Sequence, residues 1–144
     1  MFLGRFEHTI DDKGRLTIPA KYRSSLSDGV VVTRGLDRCL YIYPQSEWEQ
    51  LAEKTKRLPL TKTDARELVR FLFSVASDCT PDHQGRVPIP GYLREYAGLQ
   101  DKVIVAGSQN HLEVWNPETW RADNSKLEQD PVTFAEKLGD LGIL

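Results

Sequence analysis

The sequence predicts a mainly β fold with short helices, of the α+β class, in which two copies of one small lobe face each other as an internal dimer. Three observations predict it: an internal repeat, alternation of apolar and polar residues in each copy, and short helices that follow a proline. A chain of 144 residues can bury one core. The chain has few residues from which to build two independent hydrophobic cores, so we expect the lobes to share one.

The repeat covers most of the chain. Residues 9–23 align with residues 80–94 at an offset of 71, with seven identical positions. After a one-residue slip, residues 31–48 align with residues 103–120 at an offset of 72. We therefore expect a first domain over residues 1–60, with its core at 5–47. The second domain, residues 61–144, holds a linking helix, a core at 76–119 and a C-terminal helix.

Each copy is predicted to form a strand, a turn, a second strand, a short helix and a β-hairpin, in this order. Period-two alternation predicts strands around Leu16 and Val87, each preceded by a turn glycine. Prolines 19 and 90 end these strands and favour helices over residues 20–26 and 91–97, with Gly98 as a helix stop. The predicted hairpins pair residues 30–33 with 40–43 and residues 103–106 with 112–115.

Further helices are expected to follow each hairpin. Ser46 and Glu49 have the spacing of a capping box. A helix that begins at Thr61 is expected to bury one apolar face, formed by Ala65, Leu68, Val69 and Leu72. We expect residues 122–129 to form a mobile connection and a last helix to begin at Asp130-Pro131.

The most informative motif is D-x-x-x-R followed by an apolar strand and Ile-Pro. It occurs twice, from Asp11 to Pro19 and from Asp82 to Pro90. At these residues the chain resembles the SpoVT-AbrB swapped-hairpin family, here in a doubled form that covers nearly the whole chain. The resemblance implies an intramolecular pseudo-dimeric β-barrel of interleaved hairpins with flanking helices. It also implies DNA binding through the face of the D-x-x-x-R loops, assembly into a ring, and regulation of the operon for cell division and cell-wall synthesis.

The chemistry of the loops agrees with DNA binding. A guanidinium pairs bidentately with guanine O6 and N7 or with phosphate, so Arg15 and Arg86 are the first candidates. Lys13 adds a charge to the first loop, whereas its counterpart Gln84 offers only hydrogen bonds. Possible secondary phosphate contacts are Arg5, Arg23 and Arg94. The residues expected to support the motif are Asp11, Gly14, Asp82 and Gly85.

Other interpretations of the same residues stay open. Each Asp and Arg of the motif can form an ion pair that only pins the turn, or the Asp can orient an Arg that reads DNA. Arg23 and Arg94 follow helix starts and can be structural or solvated. Trp48 and Trp120 hold equivalent positions at helix starts, which favours packing over base stacking. The equivalent pairs His8 with Cys79 and Cys39 with His111 suggest a metal, but no local spacing matches a zinc motif.

Net charge at first argues against a nucleic-acid partner. The whole chain carries a net charge of −2, yet residues 1–40 hold seven basic and five acidic side chains. A basic patch on an acidic body is compatible with this distribution. The weak charge of one copy favours multivalent binding by an oligomer to repeated DNA boxes.

Several function classes lack support in the sequence. It contains no P-loop, GxGxxG, HExxH or GxSxG motif, so we predict no enzyme, no catalytic residue, no metal and no cofactor. No apolar run reaches the roughly 20 residues of a membrane span, and two cysteines are typical of a reducing compartment. We expect a cytoplasmic, nucleoid-associated regulator, a repressor that binds directly repeated boxes in double-stranded promoter DNA as a homo-oligomeric ring. The alternative is a ring-forming scaffold or an antitoxin-like partner-binding module without specific DNA binding.

Overall fold

A computed structural model describes residues 1–142 of the chain. The strands are β1 Arg5–Thr9, β2 Arg15–Thr17, β3 Val30–Arg34, β4 Leu40–Pro44, β5 Ser77–Cys79, β6 Arg86–Pro88, β7 Lys102–Gly107 and β8 Leu112–Trp115. The helices are α1 Arg23–Leu26, α2 Gln45–Lys56, α3 Thr63–Phe73, α4 Gly91–Ala97, α5 Pro117–Gln129 and α6 Pro131–Lys137. A 3₁₀ turn, Ala20–Tyr22, precedes α1, and another, Gly139–Leu141, follows α6. None of the helices in this range has both the length and the apolar composition needed to cross a bilayer.

The two halves of the chain exchange strands within one antiparallel sheet. Its strand order is β1-β7-β8-β4-β3-β5. β1 of the first half pairs with β7 of the second, and β5 of the second half pairs with β3 of the first. β4 and β8 meet in the middle of the sheet. The order reads the same from either end when the halves are interchanged, so a pseudo-twofold axis passes between β4 and β8.

A second exchange forms a two-stranded ribbon from β2 and β6. Leu16 pairs with Val87 at its centre, and both side chains are fully buried. Because side chains alternate along a strand, the flanking residues of the ribbon face outward. Main-chain hydrogen bonds fasten the ribbon across the halves: Ile18 N donates to the Gly85 carbonyl, and Ile89 N donates to the Gly14 carbonyl, each at 2.8 Å.

One core, built by both halves, lies between the ribbon and the inner face of the large sheet. Its residues include Leu16, Ile18, Leu26, Val30, Leu40 and Ile42 from the first half and Val87, Ile89, Leu93, Val105, Leu112 and Val114 from the second. Helices cover the outer face of the sheet. Trp48 of α2 contacts Tyr43 and Phe73, and Trp120 of α5 packs edge-to-face on Trp115. Both tryptophans thus pack against the sheet, as predicted.

The α+β class, the order of elements and the paired halves are confirmed. Both predicted helices after the ribbon strands are present, and Gly98 ends α4 in the left-handed conformation with φ 63°. α6 begins at the predicted site, where the Asp130 side chain accepts a hydrogen bond from Thr133 N.

Three local expectations are wrong. Residues 122–129 are helical, as the last part of α5. Ser46 does not cap α2, because the helix begins one residue earlier, at Gln45 after Pro44. Leu68 of α3 faces solvent, since the buried face of this helix is centred on Leu72.

The closed barrel that the resemblance implies stays a prediction. Across residues 1–142 the strand pairs form an open six-stranded sheet and a separate ribbon, and no pair joins β1 to β5. The division into domains at residues 60 and 61 likewise stays a prediction. Of the predicted C-terminal helix, residues 143 and 144 lie outside the described residues.

The shared core predicts one cooperative unfolding transition. Leu16→Ala in the first half and Leu93→Ala in the second each empty a fully buried site, so each is expected to cost about 2–5 kcal/mol. Both variants are expected to lower the midpoint of the same single transition in urea denaturation followed by tryptophan fluorescence and circular dichroism. Leu36→Ala, at an exposed hairpin tip, is the control and is expected to change stability by less than about 0.5 kcal/mol. Two separate transitions, each sensitive to only one variant, would contradict the shared core.

Candidate nucleic-acid interface

The two D-x-x-x-R loops have the same internal geometry. In the first, Asp11 Oδ1 accepts hydrogen bonds from the backbone N–H of Lys13 at 3.0 Å and of Arg15 at 2.9 Å. Asp11 Oδ2 accepts a hydrogen bond from Arg15 Nε at 2.8 Å. One carboxylate therefore closes the turn and fixes the direction of the arginine side chain.

The second loop repeats these bonds. Asp82 Oδ1 accepts from the backbone N–H groups of Gln84 and Arg86, each at 2.9 Å, and Oδ2 accepts from Arg86 Nε at 2.8 Å. In both loops the arginine uses Nε for the carboxylate. Within residues 1–142 neither arginine makes a hydrogen bond through its Nη atoms. The outer edge of each guanidinium thus remains available for a ligand, while its inner edge is held by protein.

The hydrogen bonds keep the aspartates ionised. The backbone N–H of Arg86, followed by its guanidinium and the N–H of Gln84, lowers the pKa of Asp82 from 3.8 to about 2 against the opposing effect of desolvation. The same interactions lower the pKa of Asp11, with the backbone N–H of Arg15 contributing most. A carboxylate that accepts several N–H bonds is stabilised in its charged form. Both aspartates are therefore charged at neutral pH.

The ribbon brings Arg15 and Arg86 onto one face. Arg15 lies opposite Pro88, and Arg86 lies opposite Thr17. Since directly opposed residues share a face, the two arginines occupy diagonal corners of it, with their Cα atoms about 7–8 Å apart. Thr17, which the sequence analysis did not single out, lies on the same face, directly opposite Arg86. In the sequence, the alternation of polar and apolar residues along this strand indicated that Thr17 shares a face with Arg15.

Each loop is completed by an arginine from the other half. Arg94 lies against Gly14, so closely that a Cβ at residue 14 would come within 3.1 Å of the guanidinium carbon. Arg23 lies against Gly85, where a Cβ would come within 2.5 Å of its Nε. Both glycines also have a positive φ, of 79° and 74°. The left-handed turn thus favours glycine at both positions, and an added Cβ would also crowd the neighbouring arginine.

Arg23 and Arg94 are themselves fastened by the backbone. Arg23 Nε donates to the carbonyl of Ile18 at 3.1 Å, and Arg94 Nε donates to the carbonyl of Ile89 at 3.0 Å. These bonds support the structural interpretation of both residues, and their use as phosphate contacts stays a prediction. Arg23 and Arg94 lie against Gly85 and Gly14, the residues that precede Arg86 and Arg15 in the chain.

Further residues complete the description of the site. Lys13 and Gln84 are exposed at equivalent positions of their loops, and so are Asp12 and His83, so the loops differ in their charged side chains but not in their net charge. Arg5 is not brought near them: it lies on the outer face of the sheet, where it pairs with Glu128 at 3.5 Å and stacks over Trp120. Burial and the neighbouring Arg23 guanidinium lower the pKa of His8, so this residue adds no charge to the face at neutral pH.

The face is basic although the chain is not. The two loops together with Arg23 and Arg94 hold five basic side chains, Lys13, Arg15, Arg23, Arg86 and Arg94, and three acidic ones, Asp11, Asp12 and Asp82. The net charge of the whole chain is −2. Two of the acidic groups are occupied by hydrogen bonds within the loops. The selected residues thus carry more basic than acidic side chains, which agrees with the predicted basic patch on an acidic body.

The loop aspartates predict a loss of stability in acid. Because the folded pKa of Asp82 lies below its ordinary value of 3.8, its contribution is present above about pH 4 and is lost as the pH falls towards 2. We expect the free energy of unfolding, measured by urea denaturation, to fall over this interval. The Asp82→Asn variant should show a shallower fall. An unchanged pH dependence in this variant would rule out the charged carboxylate as the cause.

Comparison with known proteins matches both halves. Residues 1–71 and residues 72–138 each match the family model described as "MraZ protein, putative antitoxin-like". This division follows the internal repeat.

Relatives align over almost their entire length. The protein named Transcriptional regulator MraZ of Roseiflexus sp. (strain RS-1) is 50% identical over 141 residues, which cover 98% of this chain and 99% of the relative. Proteins of the same name from Natranaerobius thermophilus and Ligilactobacillus salivarius are 46% and 48% identical over 143 residues, covering 99% of this chain and 100% of each relative. Since the family model matches both halves and these relatives align from end to end, the chain belongs to the MraZ family.

Proposed function

We propose that this protein is a transcriptional regulator that binds double-stranded promoter DNA through the outer face of the β2–β6 ribbon. The observation that carries the proposal is the pair of arginines, Arg15 and Arg86, each held through Nε by an aspartate with its Nη edge left for a ligand. The relatives named transcriptional regulators support the biological role. The protein acts by occupying DNA and needs no catalytic group or cofactor.

The ribbon has the dimensions for the major groove. Paired strands lie about 4.8 Å apart, and the major groove, about 12 Å wide, admits a two-stranded β-ribbon. The Nη1 and Nη2 atoms of an arginine match the O6 and N7 acceptors of guanine. With Cα atoms about 7–8 Å apart and about 3.4 Å between successive base pairs, Arg15 and Arg86 read bases roughly two pairs apart. One protomer therefore specifies a short box.

The flanking cations contact phosphates. Arg23, Arg94 and Lys13 surround the ribbon and neutralise about three phosphates in each protomer, which gives a modest affinity at physiological salt. Several protomers joined in a homo-oligomeric ring bind directly repeated boxes at a high effective concentration and restore tight binding. Arg5 lies on the opposite face and takes part only if DNA wraps around the sheet edge.

The regulated genes follow from the family resemblance. The protein occupies repeated boxes in the promoter of the cell-division and cell-wall operon and represses it, in the cytoplasm and in association with the nucleoid. A scaffold or antitoxin-like function is the second candidate, because the matching family model carries the words "antitoxin-like". In that case a protein partner is bound and the ribbon arginines are dispensable.

Substitution of the ribbon arginines separates these functions. Arg15→Ala and Arg86→Ala are each expected to weaken binding to the promoter upstream of the protein's own gene by roughly 5- to 150-fold, since a bidentate base contact contributes about 1–3 kcal/mol. Arg15→Lys is the matched variant: it keeps the charge but loses the planar pair of donors, so specificity falls while nonspecific binding remains. Gel shifts on intact repeats measure specific binding, and gel shifts on scrambled repeats measure nonspecific binding.

Two controls protect this test. Arg121→Ala removes an exposed cation from α5, away from the ribbon, and is expected to bind DNA like the native protein. Circular dichroism is expected to show a native fold for all variants. If Arg15→Ala and Arg86→Ala stay folded and bind the intact repeats with native affinity, the ribbon is not the DNA contact and the scaffold function is favoured.

The unequal loops predict different salt dependence. Lys13→Gln gives the first loop the side chain that the second has at this position, and Gln84→Lys does the reverse. Because each phosphate contact contributes about 0.9 to the slope of log affinity against log salt, the first variant should make the slope shallower by about 0.9 per protomer and the second steeper by about 0.9. Fluorescence anisotropy over a salt titration measures the slope. Equal slopes for all three proteins would show that neither side chain contacts phosphate.

A further inference from the structure

The outer face of the ribbon holds four side chains. Arg15 and Thr17 come from β2, and Arg86 and Pro88 come from β6. At the repeat offset of 71, Arg15 corresponds to Arg86 and Thr17 corresponds to Pro88. The pseudo-twofold axis therefore exchanges two identical side chains and two different ones. Among these four residues, the two halves differ only at Thr17 and Pro88.

The strand register places one of these unlike residues directly beside each arginine. The main-chain bonds that Ile18 and Ile89 donate across the halves belong to hydrogen-bonded pairs of the ribbon. Such pairs alternate with non-hydrogen-bonded pairs along antiparallel strands, and Thr17 with Arg86 forms one of the latter, with Cα atoms about 4.5 Å apart. Pro88 occupies the equivalent pair, where the N–H that proline lacks would point away from the partner strand.

The Thr17 hydroxyl is available for a ligand. The residue is partly exposed, and its hydroxyl makes no hydrogen bond within residues 1–142. Oγ1 is also not among the buried polar atoms that lack a partner in this range, so it is in contact with solvent. Pro88 is exposed as well, but its ring offers neither a donor nor an acceptor. The hydroxyl is therefore the chemical difference between the two ends of the face.

Two identical arginines related by a twofold axis do not give the bound DNA a direction. A twofold-symmetric reader matches a palindromic site. Arg15 and Arg86 alone would therefore contact a duplex equally well after it is turned by 180° about the axis. The side chains at the loop tips differ between the halves, but contacts to phosphate carry no sequence information. A directional box requires a base-reading group that is present in one half only.

We propose that Thr17 is a third base-reading residue, whose hydroxyl hydrogen-bonds the edge of the base pair next to the one that Arg86 contacts. A threonine hydroxyl can pair with donors or acceptors in the major groove. Successive base pairs lie about 3.4 Å apart, which fits the separation of about 4.5 Å between Thr17 and Arg86. Pro88 makes no such bond beside Arg15, so only one end of the box is read by three donors and acceptors.

This asymmetry gives each box a direction, which is the property that directly repeated boxes share. The inference rests on the proposed function and deepens it, because it names the group that orients one protomer on its DNA. It concerns base reading within a single protomer and needs no contact between protomers.

Removal of the hydroxyl tests the contact. Thr17→Val keeps the β-branched shape and the strand preference but can neither donate nor accept a hydrogen bond. Fluorescence anisotropy measures binding to a panel of short single-box promoter duplexes, each with one base pair changed. Arg86→Ala identifies the guanine that Arg86 reads, because discrimination is lost there.

At the base pair beside this guanine, the native protein is expected to discriminate by roughly 2- to 10-fold, the usual contribution of one hydrogen bond. Thr17→Val is expected to lose this discrimination and to keep the native pattern at all other base pairs. Thr17→Ser keeps the hydroxyl and is expected to retain the preference.

Pro88→Thr provides the matched gain of a contact. It places a hydroxyl at the position equivalent to Thr17 and makes the four-residue face symmetric. The variant is expected to acquire a new preference of roughly 2- to 10-fold at the base pair beside the guanine that Arg15 reads. Arg15→Ala identifies that guanine in the same panel. A role of Thr17 in the fold alone would not produce a new preference at the other end of the box.

The outcomes separate this inference from the proposed function. A folded Thr17→Val protein with the native preference at every base pair would overturn the role of Thr17 and leave the ribbon as the DNA contact. Loss of the preference in folded Thr17→Ser, or no new preference in folded Pro88→Thr, would also overturn it. Circular dichroism establishes the fold, and if Thr17→Val is unfolded these two variants decide. Equal binding of every duplex by the native protein would instead refute the DNA function itself.

Discussion

The exchange of strands between the halves is the constraint on which the rest of the structure depends. The ribbon takes β2 from one half and β6 from the other, so neither half builds it alone. Arg15 and Arg86 come close only through this pairing. The same exchange lays Arg94 against Gly14 and Arg23 against Gly85, so that an arginine from the opposite half packs on each loop. The same strand pairing therefore forms the fold and positions the candidate site. A change that weakens the pairing of the halves also displaces the arginines.

The hydrogen bonds of the aspartates are compatible with both a structural and a functional interpretation of the motif. In both loops the carboxylate accepts from Nε, and within residues 1–142 the Nη atoms make no hydrogen bond. Holding a long side chain in place before a ligand arrives reduces the entropy lost on binding, by about 0.5–1.5 kcal/mol for each side chain. Each carboxylate also accepts two backbone N–H groups, so it is satisfied within the loop. The aspartate thus stabilises the turn through Oδ1 and orients the arginine through Oδ2.

The sequence predicted what depends on local pattern and on the repeat. Turn glycines, the stop at Gly98 and the strand alternation around Leu16 are local, and the structure has them as expected. The errors arose where packing decides the outcome. Residues 122–129 are polar enough to suggest a loop, yet they continue α5, which packs on the sheet through Trp120. The approach of Arg23 to the opposite loop depends on strand exchange, and spacing along the chain carries no sign of it.

Fusion of two equivalent lobes into one chain also frees them to diverge. In a dimer of identical subunits, each change appears at both symmetry-related places. In this chain the halves have stayed alike where both must form the same turn, since the bonds around Asp11 and Asp82 agree within 0.1 Å. They differ at the loop tips, where Asp12 and Lys13 of the first half stand opposite His83 and Gln84 of the second. These side chains are not needed for the turn, so they are free to change. The internal repeat therefore supplies the matched arginines of the ribbon and leaves the neighbouring positions free to differ.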